Sequence, residues 1–548
     1  MRLLGRAFSS AYFAGETVAR SFIALDFRSA ADRAARTRAA GAAAASPAVV
    51  EILRTQQAAL APSAAGAAAL DALARGDTAV VATGQQVGLF LGPLYSFYKA
   101  ASAIAVARAL EAETGVRCVP LFWLQTEDHD FAEIASVTVA GPGGAAVRLS
   151  LAPDPACPPR ASVAHRRLGD DVGALLATLA EALGPGPAAT DTIAVLARHY
   201  QPGRPLGAAF AGAMAELFAE EGLLFFDPRG EAVGRLAVPL HQRAIDAAAE
   251  IGRRLEARRD ALAAAGFDEQ IANRPGCALS FFHPDGPTGD RFRLARIAGP
   301  AGAWGLSGRK GSLPDGTLEG ALARAPLRFS TSALLRPLLQ DSLLPIAAYV
   351  GGPAEVSYFA QLGPLYELFG LSPPLVVPRG RFRCLDARDR RRLEKLGIGA
   401  DEVGHARETV RKVARRPAPG EPDSLALAAA VRDDILLRVD RLAETVAAVD
   451  AADRNLVRAA VRTRATVAYA LRRLTDRAAR SALARDRAAF ARLDRLVAAL
   501  CPDGVPQERA YGWPSLAGRH GPVTLKRLVF ARLAEAGPFG TDLLDLRP

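Results

Sequence analysis

"TAVVATGQQVGLFLGPLYSFYKAASAIAVARALEAETGVRCVPLFWL" (Thr78–Leu124) is the stretch on which the fold turns. It opens on a short β-branched run, Thr78 to Thr83, that ends at a glycine-containing loop. Helical periodicity follows, with Pro93 near the first turn and Gly115 just past the end, where these two residues favour helix boundaries. A second apolar run, Val116–Leu124, closes the stretch. Strand, loop, helix and strand in this order predict the βαβ unit of a parallel sheet buried on both faces.

A second stretch has the same texture. Residues 327–379 read as a strand ending near Ser330, a helix carrying Arg336 and Gln340, the strand "PIAAYVGG", a helix opening at Pro353, and a last strand ending at Arg379. Residues 141–325 mix Pro/Gly loops with helices and are expected to be insertions, which makes the sheet discontinuous in sequence. Residues 1–75 read as surface helices joined by an Ala-rich connection of low complexity. The predicted class is therefore α/β, with a Rossmann-like core over 1–384.

From about Leu385 the strands stop. Ile435, Val439, Leu442, Val446 and Val449 step by four and three, as do Val467, Leu471 and Leu474, and Phe490, Leu493, Val497 and Leu500. This spacing predicts a helical coiled-coil domain over 385–500, two long antiparallel helices with a tight turn between Asp450 and Asn455. Residues 501–548 are expected to return to the core. A thin hairpin leaves apolar surface exposed, so dimerisation through it is one expectation, and a helical domain folded on its own core is the other.

Composition bounds the function. At 548 residues the chain exceeds what one hydrophobic core sustains. Half of the residues are hydrophobic and 23% are charged, a globular balance. The net charge of +11 comes from arginines scattered beside Asp and Glu on amphipathic helices, with no nucleic-acid-binding motif, so a nucleic-acid partner is not expected. Five cysteines, odd in number and without a C-x-x-C pair, argue against disulfides and a zinc site and for a reducing compartment. Arg6 interrupts the only apolar start, and no later segment approaches an uncharged membrane span. A cytoplasmic location is the expectation.

The chemistry-bearing residues fall where open α/β sheets place their ligand crevices, just past the carboxyl ends of strands. Thr83, Gly84, Gln85 and Gln86 join the first strand to its helix. This junction can aim backbone N–H groups at an anion, and the two amides can meet the hydroxyls of a sugar or a small acid. It is neither a Walker loop nor G-x-G-x-x-G. The alternative is that its glycines only permit a tight turn and close packing.

Past the second strand, Glu127, Asp128, His129 and Asp130 surround one of only seven histidines with carboxylates. Adjacent residues project in different directions, which disfavours a metal site. Acid/base work or amine binding is the functional reading, and a helix cap by Asp128 or Asp130 is the structural one. At "VGGPAEVSYF", Glu355 and Tyr358 lie one turn apart at a helix entry. Glu355 is either an amine ligand or an ordinary dipole partner. Arg336 and Arg379 are candidate anion contacts.

Four separated motifs together resemble one family. "TGQQVGLFLGPLYSFYK", "VPLFWLQTEDHDFAEI", "LLRPLLQDSLLPIAAYVGGPAEVSYFAQL" with "PLVVPR", and "PDGVPQERAYGW" are similar, in order and spacing, to the cysteine-adding enzymes of bacillithiol biosynthesis, the BshC family. The resemblance spans nearly the whole chain and is weakest in 141–325 and the Ala-rich start. It implies a Rossmann-like core related to class I nucleotidyltransferases, connecting insertions, and a coiled-coil domain used for homodimerisation. It implies amide formation between the carboxyl of L-cysteine and the amine of glucosaminyl malate.

A free carboxylate is a poor acyl donor, so activation by ATP, with Mg, is expected on chemical grounds. In this reading Asp128, His129 and Asp130 are candidates for the proton-accepting group, Glu355 and Tyr358 for the amine, and Thr83, Gly84, Gln85, Gln86, Tyr95 and Glu127 for the rest of the substrate. The histidine signature that related synthetases carry at the first strand-to-helix turn is not present in "GPLYSFYK". The resemblance also implies an ADP site away from the crevice. Two rivals stay open: another ATP-dependent amide-forming ligase, and a non-catalytic dimeric nucleotide- or RNA-binding scaffold.

Overall fold

The computed structural model describes residues 7–60, 63–141, 144–273, 276–297, 303–404, 409–410, 412–413, 424–449, 454–485 and 487–548. They divide into two units: residues 1–142, 146–383 and 511–546 form one, and chiefly 384–510 form the other.

The strands of the described residues are β1 Thr78–Gln85, β2 Arg117–Leu124, β3 Ser136–Ala140, β4 Ala146–Ser150, β5 Leu224–Phe226, β6 Cys277–Phe282, β7 Phe292–Arg296, β8 Trp304–Leu306, β9 Phe329–Thr331, β10 Ile346–Gly351, β11 Leu375–Pro378, β12 Arg381–Cys384 and β13 Leu543–Leu546. In the first unit, β11-β10-β1-β2-β5 form one sheet, every pair of it parallel. The chain runs outward from β1 through β2 to β5, then returns beside β1 with β10 and proceeds to β11. The strand order therefore reverses between β1 and β10, which makes their carboxyl ends the topological switch point of the sheet.

The predicted βαβ unit is present. β1 is buried except at Gln85, and the Leu94–Thr114 helix ends on Gly115 at φ 73°, a left-handed cap that a side chain disfavours. Gly84 lies against β2, where a Cβ would meet the Trp123 carbonyl at 2.9 Å, so this glycine serves close strand packing.

Three expectations need correction. Residues 141–325 are not only insertions, because they contain β5, an edge strand of the main sheet. Three apolar residues, "LFF", are too short to show a period, and a parallel ladder with a stack of Trp123 on Phe226 at 4.6 Å joins β5 to β2. The strand ending near Ser330 is β9, which belongs to a separate antiparallel sheet, β8-β7-β6-β9. The amino-terminal helices are not all superficial. Phe8, Tyr12 and Phe27 are buried, and the Tyr12 hydroxyl donates to Val376 O at 3.2 Å, so this segment covers one face of the sheet.

In the second unit, the Ser424–Val449 and Arg454–Arg485 helices pack on one another, tied by Arg464 and Asp440 at 2.5 Å. The expected turn falls largely on 450–453, outside the described residues. Leu493, Leu496 and Leu500 of the Arg487–Leu500 helix join Leu385, Leu393 and Leu396 in a small core. Leu442, Val449 and Leu474, expected at a helix seam, are more than half exposed in the chain by itself. No helix among the described residues is long and apolar enough to cross a membrane.

Candidate active site at the carboxyl edge of the sheet

Because all five strands of the main sheet are parallel, the residues following β1, β2, β5 and β10 emerge at one edge. Two clusters form there, joined through the adjacent Gln85 and Gln86.

The first cluster sits on the switch point around Lys99, a residue to which sequence reasoning gave no role. Its position on an otherwise apolar face of the Leu94–Thr114 helix was the signal that could have found it. Lys99 is 2% exposed and its ammonium donates to Gly84 O at 2.7 Å and Gln85 Oε1 at 2.8 Å, and pairs with Glu355. Glu355 also accepts from Tyr349 Oη at 2.5 Å and from Gly352 N at 2.8 Å. Burial pulls the Lys99 ammonium down to about 8 against the opposing pull of Glu355. Burial works to raise the Glu355 carboxyl, but the Lys99 ammonium and the two hydrogen bonds outweigh it and hold the group ionised. Arg336 donates to Tyr358 Oη at 2.8 Å and stacks over the Tyr349 ring, and Arg379 stands over Tyr95.

The second cluster gathers around Arg291, which immediately precedes β7. Its Nε donates to Ser330 Oγ at 2.9 Å, its guanidinium stacks on Phe281, and it lies 3.5 Å from Asp128 Oδ1. Arg291 Nη1 is 3.2 Å from His129 Nδ1. The same Nδ1 is 3.5 Å from Asp128 Oδ1, so the ring nitrogen lies between a donor and an acceptor. Glu127 is buried and accepts from Thr331 N at 3.0 Å and from the Thr331 hydroxyl, pinning the β2 end to β9. At the end of β5, Asp227 accepts from Thr126 Oγ1 at 2.5 Å. Arg291, Thr331 and Asp227 are separated in sequence from the motifs and carry no local pattern, so sequence reasoning missed them.

The geometry reassigns several expected roles. Thr83 is wholly buried and its hydroxyl donates to Val350 O at 2.8 Å, tying β1 to β10 and leaving no donor for a ligand. Asp130 is exposed and accepts from Glu133 N, capping the Phe131–Ile134 turn of helix. The capping alternative holds for it. For Asp128, burial works to raise the pKa, but hydrogen bonds from His129 and Gln86 and the charge of Arg291 outweigh it and hold it well below the usual range. Such a carboxylate suits holding a cation better than accepting a proton. Glu355 and Tyr358 are already bound to Lys99 and Arg336, so neither is a ready amine ligand. Tyr95 faces Gln85, with 3.4 Å between its hydroxyl and Nε2.

Part of the expected anion cradle is occupied from within. The Leu94–Thr114 helix receives Tyr511 O on its first N–H at 3.0 Å, and the Pro353–Phe369 helix receives its own Glu355 at Gly352 N. In the loop between β1 and its helix, Leu91 N donates to Tyr200 Oη, which donates to Gly88 O. One N–H at the start of each of these helices is therefore already bonded within the protein. Among the described residues no group of three His, Cys, Asp or Glu side chains is arranged to hold a metal ion.

Comparison with known proteins meets this edge directly. Residues 5–380, which include every residue named in the two clusters, match the family described as Bacillithiol biosynthesis BshC, N-terminal Rossmann-like domain. A protein of Koribacter versatilis named "Putative cysteine ligase BshC" is 34% identical over 82% of this chain and 81% of its own length. Relatives of the same name from Salinibacter ruber and Solibacter usitatus are 32% and 31% identical, over 82% and 83% of this chain and 80% and 82% of theirs. With the Rossmann-type strand order in place and the match running from the amino-terminal helices through β11, this chain belongs to the BshC family.

Proposed function

We propose that the protein is a carbon–nitrogen ligase that joins the carboxyl of L-cysteine to the amine of glucosaminyl malate. The observation that carries this reading is the meeting of Gln85, Gln86, Asp128 and His129 at one sheet edge, in a chain whose relatives are named for cysteine ligation. Asp128 and the Gln86 amide supply acceptors suited to a sugar amine. His129, held by Nδ1 between Arg291 and Asp128, is the candidate donor to the oxygen of the activated carbonyl.

Activation by ATP, with Mg, belongs to the proposal on chemical grounds alone: a carboxylate must be converted to a better acyl donor before an amine attacks it. No step of this reading is routed through the nucleotide. A homodimer completes the proposal, supported by the exposed Leu427, Leu437, Leu442, Val449 and Leu474 of the helical hairpin.

The test is mass spectrometry of glucosaminyl malate incubated with the protein, L-cysteine and MgATP. The expected result is a gain of one cysteinyl residue that requires all three additions. Turnover with other amines only, or no product with any nucleoside triphosphate, refutes the reading.

A further inference from the structure

Gln85 and Gln86 are neighbours anchored by opposite chemistry. The Lys99 ammonium carries donors only, so the Gln85 atom 2.8 Å from it is the amide oxygen, and Nε2 is turned to the other side, 3.4 Å from Tyr95 Oη. The Asp128 and Glu133 carboxylates carry acceptors only. The Gln86 atom 2.7 and 2.8 Å from them is therefore the amide nitrogen, with both hydrogens used. Among the described residues nothing donates to Gln86 Oε1, and Gln85 Nε2 has only the long contact to Tyr95. Both side chains are half-buried.

Charge follows the same division. Lys99, Arg336 and Arg379 surround Glu355 beside Gln85, whereas Asp128, Asp130 and Glu133 accompany Arg291 beside Gln86. We infer that the two glutamines split the crevice into a donor half and an acceptor half and so orient the acceptor substrate. Its carboxylates lie on the Gln85 side, over the switch point between β1 and β10. Its amine lies on the Gln86 side, at the end of β2. This deepens the proposed function and rests on it for the identity of the substrate. It also moves the amine from Glu355, where sequence reasoning put it, to the Gln86–Asp128 side.

The experiment is calorimetric titration of the full-length protein, wild type and variants, with glucosaminyl malate, its N-acetylated form, and the methyl glucosaminide that lacks the malate carboxylates. Gln85→Glu exchanges a donor for an acceptor while keeping an oxygen for Lys99. It is expected to weaken glucosaminyl malate about 10- to 100-fold and leave the methyl glucosaminide within about twofold. Gln85→Met, without charge, is expected to show a smaller loss of the same selectivity. Gln86→Met is expected to erase the preference for the free amine over the N-acetylated form and to keep the preference for carboxylates.

Equal weakening of both sugars by Gln85→Glu, or loss of carboxylate preference in Gln86→Met, overturns the inference. If wild type does not bind glucosaminyl malate, the functional reading fails by itself, and L-malate and glucosamine then serve as separate probes. Loss of L-malate binding in Gln85→Glu with glucosamine retained supports the division. Equal behaviour of the two fragments, or binding of neither, refutes it.

Discussion

Replacing Lys99 by Met tests the buried ion pair on which the switch point is built. Lys99 is buried and the Glu355 side chain is only 12% exposed, and Glu355 holds the start of the Pro353–Phe369 helix as well as the lysine. Removing one partner leaves a buried charge uncompensated, a loss of about 3–5 kcal/mol when the survivor stays ionised. The orphaned Glu355 takes up a proton as the pH falls, so the loss in Lys99→Met shrinks toward acid pH. Lys99→Met combined with Glu355→Gln removes both charges and is expected to regain at least half of the loss.

The wild type adds a second signature in alkali. Burial pulls the native ammonium from the ordinary 10.5 down to about 8, so between these values the unfolded chain binds the extra proton. Native stability attributable to this group therefore rises with pH across that window, by about 1.4 kcal/mol per unit and about 3 kcal/mol in all, and the rise is missing from Lys99→Met. Urea unfolding followed by tryptophan fluorescence reads this unit specifically, because Trp123, Trp304 and Trp513 all lie in it. A loss below about 1 kcal/mol in Lys99→Met at pH 8, or a double variant no more stable than the single one, refutes the argument.

Two further substitutions test the reassigned roles. Asp130→Ala is expected to cost about 1 kcal/mol of stability through the lost cap and to keep the rate of cysteine addition within about threefold; a hundredfold fall in rate would restore the proton-transfer role. Gly84→Ala forces a methyl against the Trp123 carbonyl and is expected to destabilise the first unit by about 1–3 kcal/mol, read by the same urea titration; wild-type stability would show that β1 and β2 separate freely there.

The parallel sheet was legible because it is written in local signals. Thr78–Thr83 and Val116–Leu124 are continuous apolar runs, and Pro93 and Gly115 frame the helix between them, so a few residues on either side carry the assignment. β5 was not legible, since three apolar residues have no periodicity and owe their place to Trp123. The amino-terminal aromatics were hidden in the same way, since covering a distant sheet face is not a property of their own segment.

At the site, sequence by itself determined which residues reach the carboxyl edge: a strand end fixes where the next side chains emerge, and Gln85, Gln86, Asp128, His129 and Glu355 all lie at or just past strand ends. It did not determine what each does there. Lys99 looks like any helix lysine until burial brings it to Glu355, Asp130 looks like a catalytic base until it caps a turn, and the amides of Gln85 and Gln86 have no preferred face until a distant ammonium and a distant carboxylate choose one for each. Position along the chain is a local property, whereas hydrogen-bond direction and ionisation depend on partners that only tertiary packing supplies.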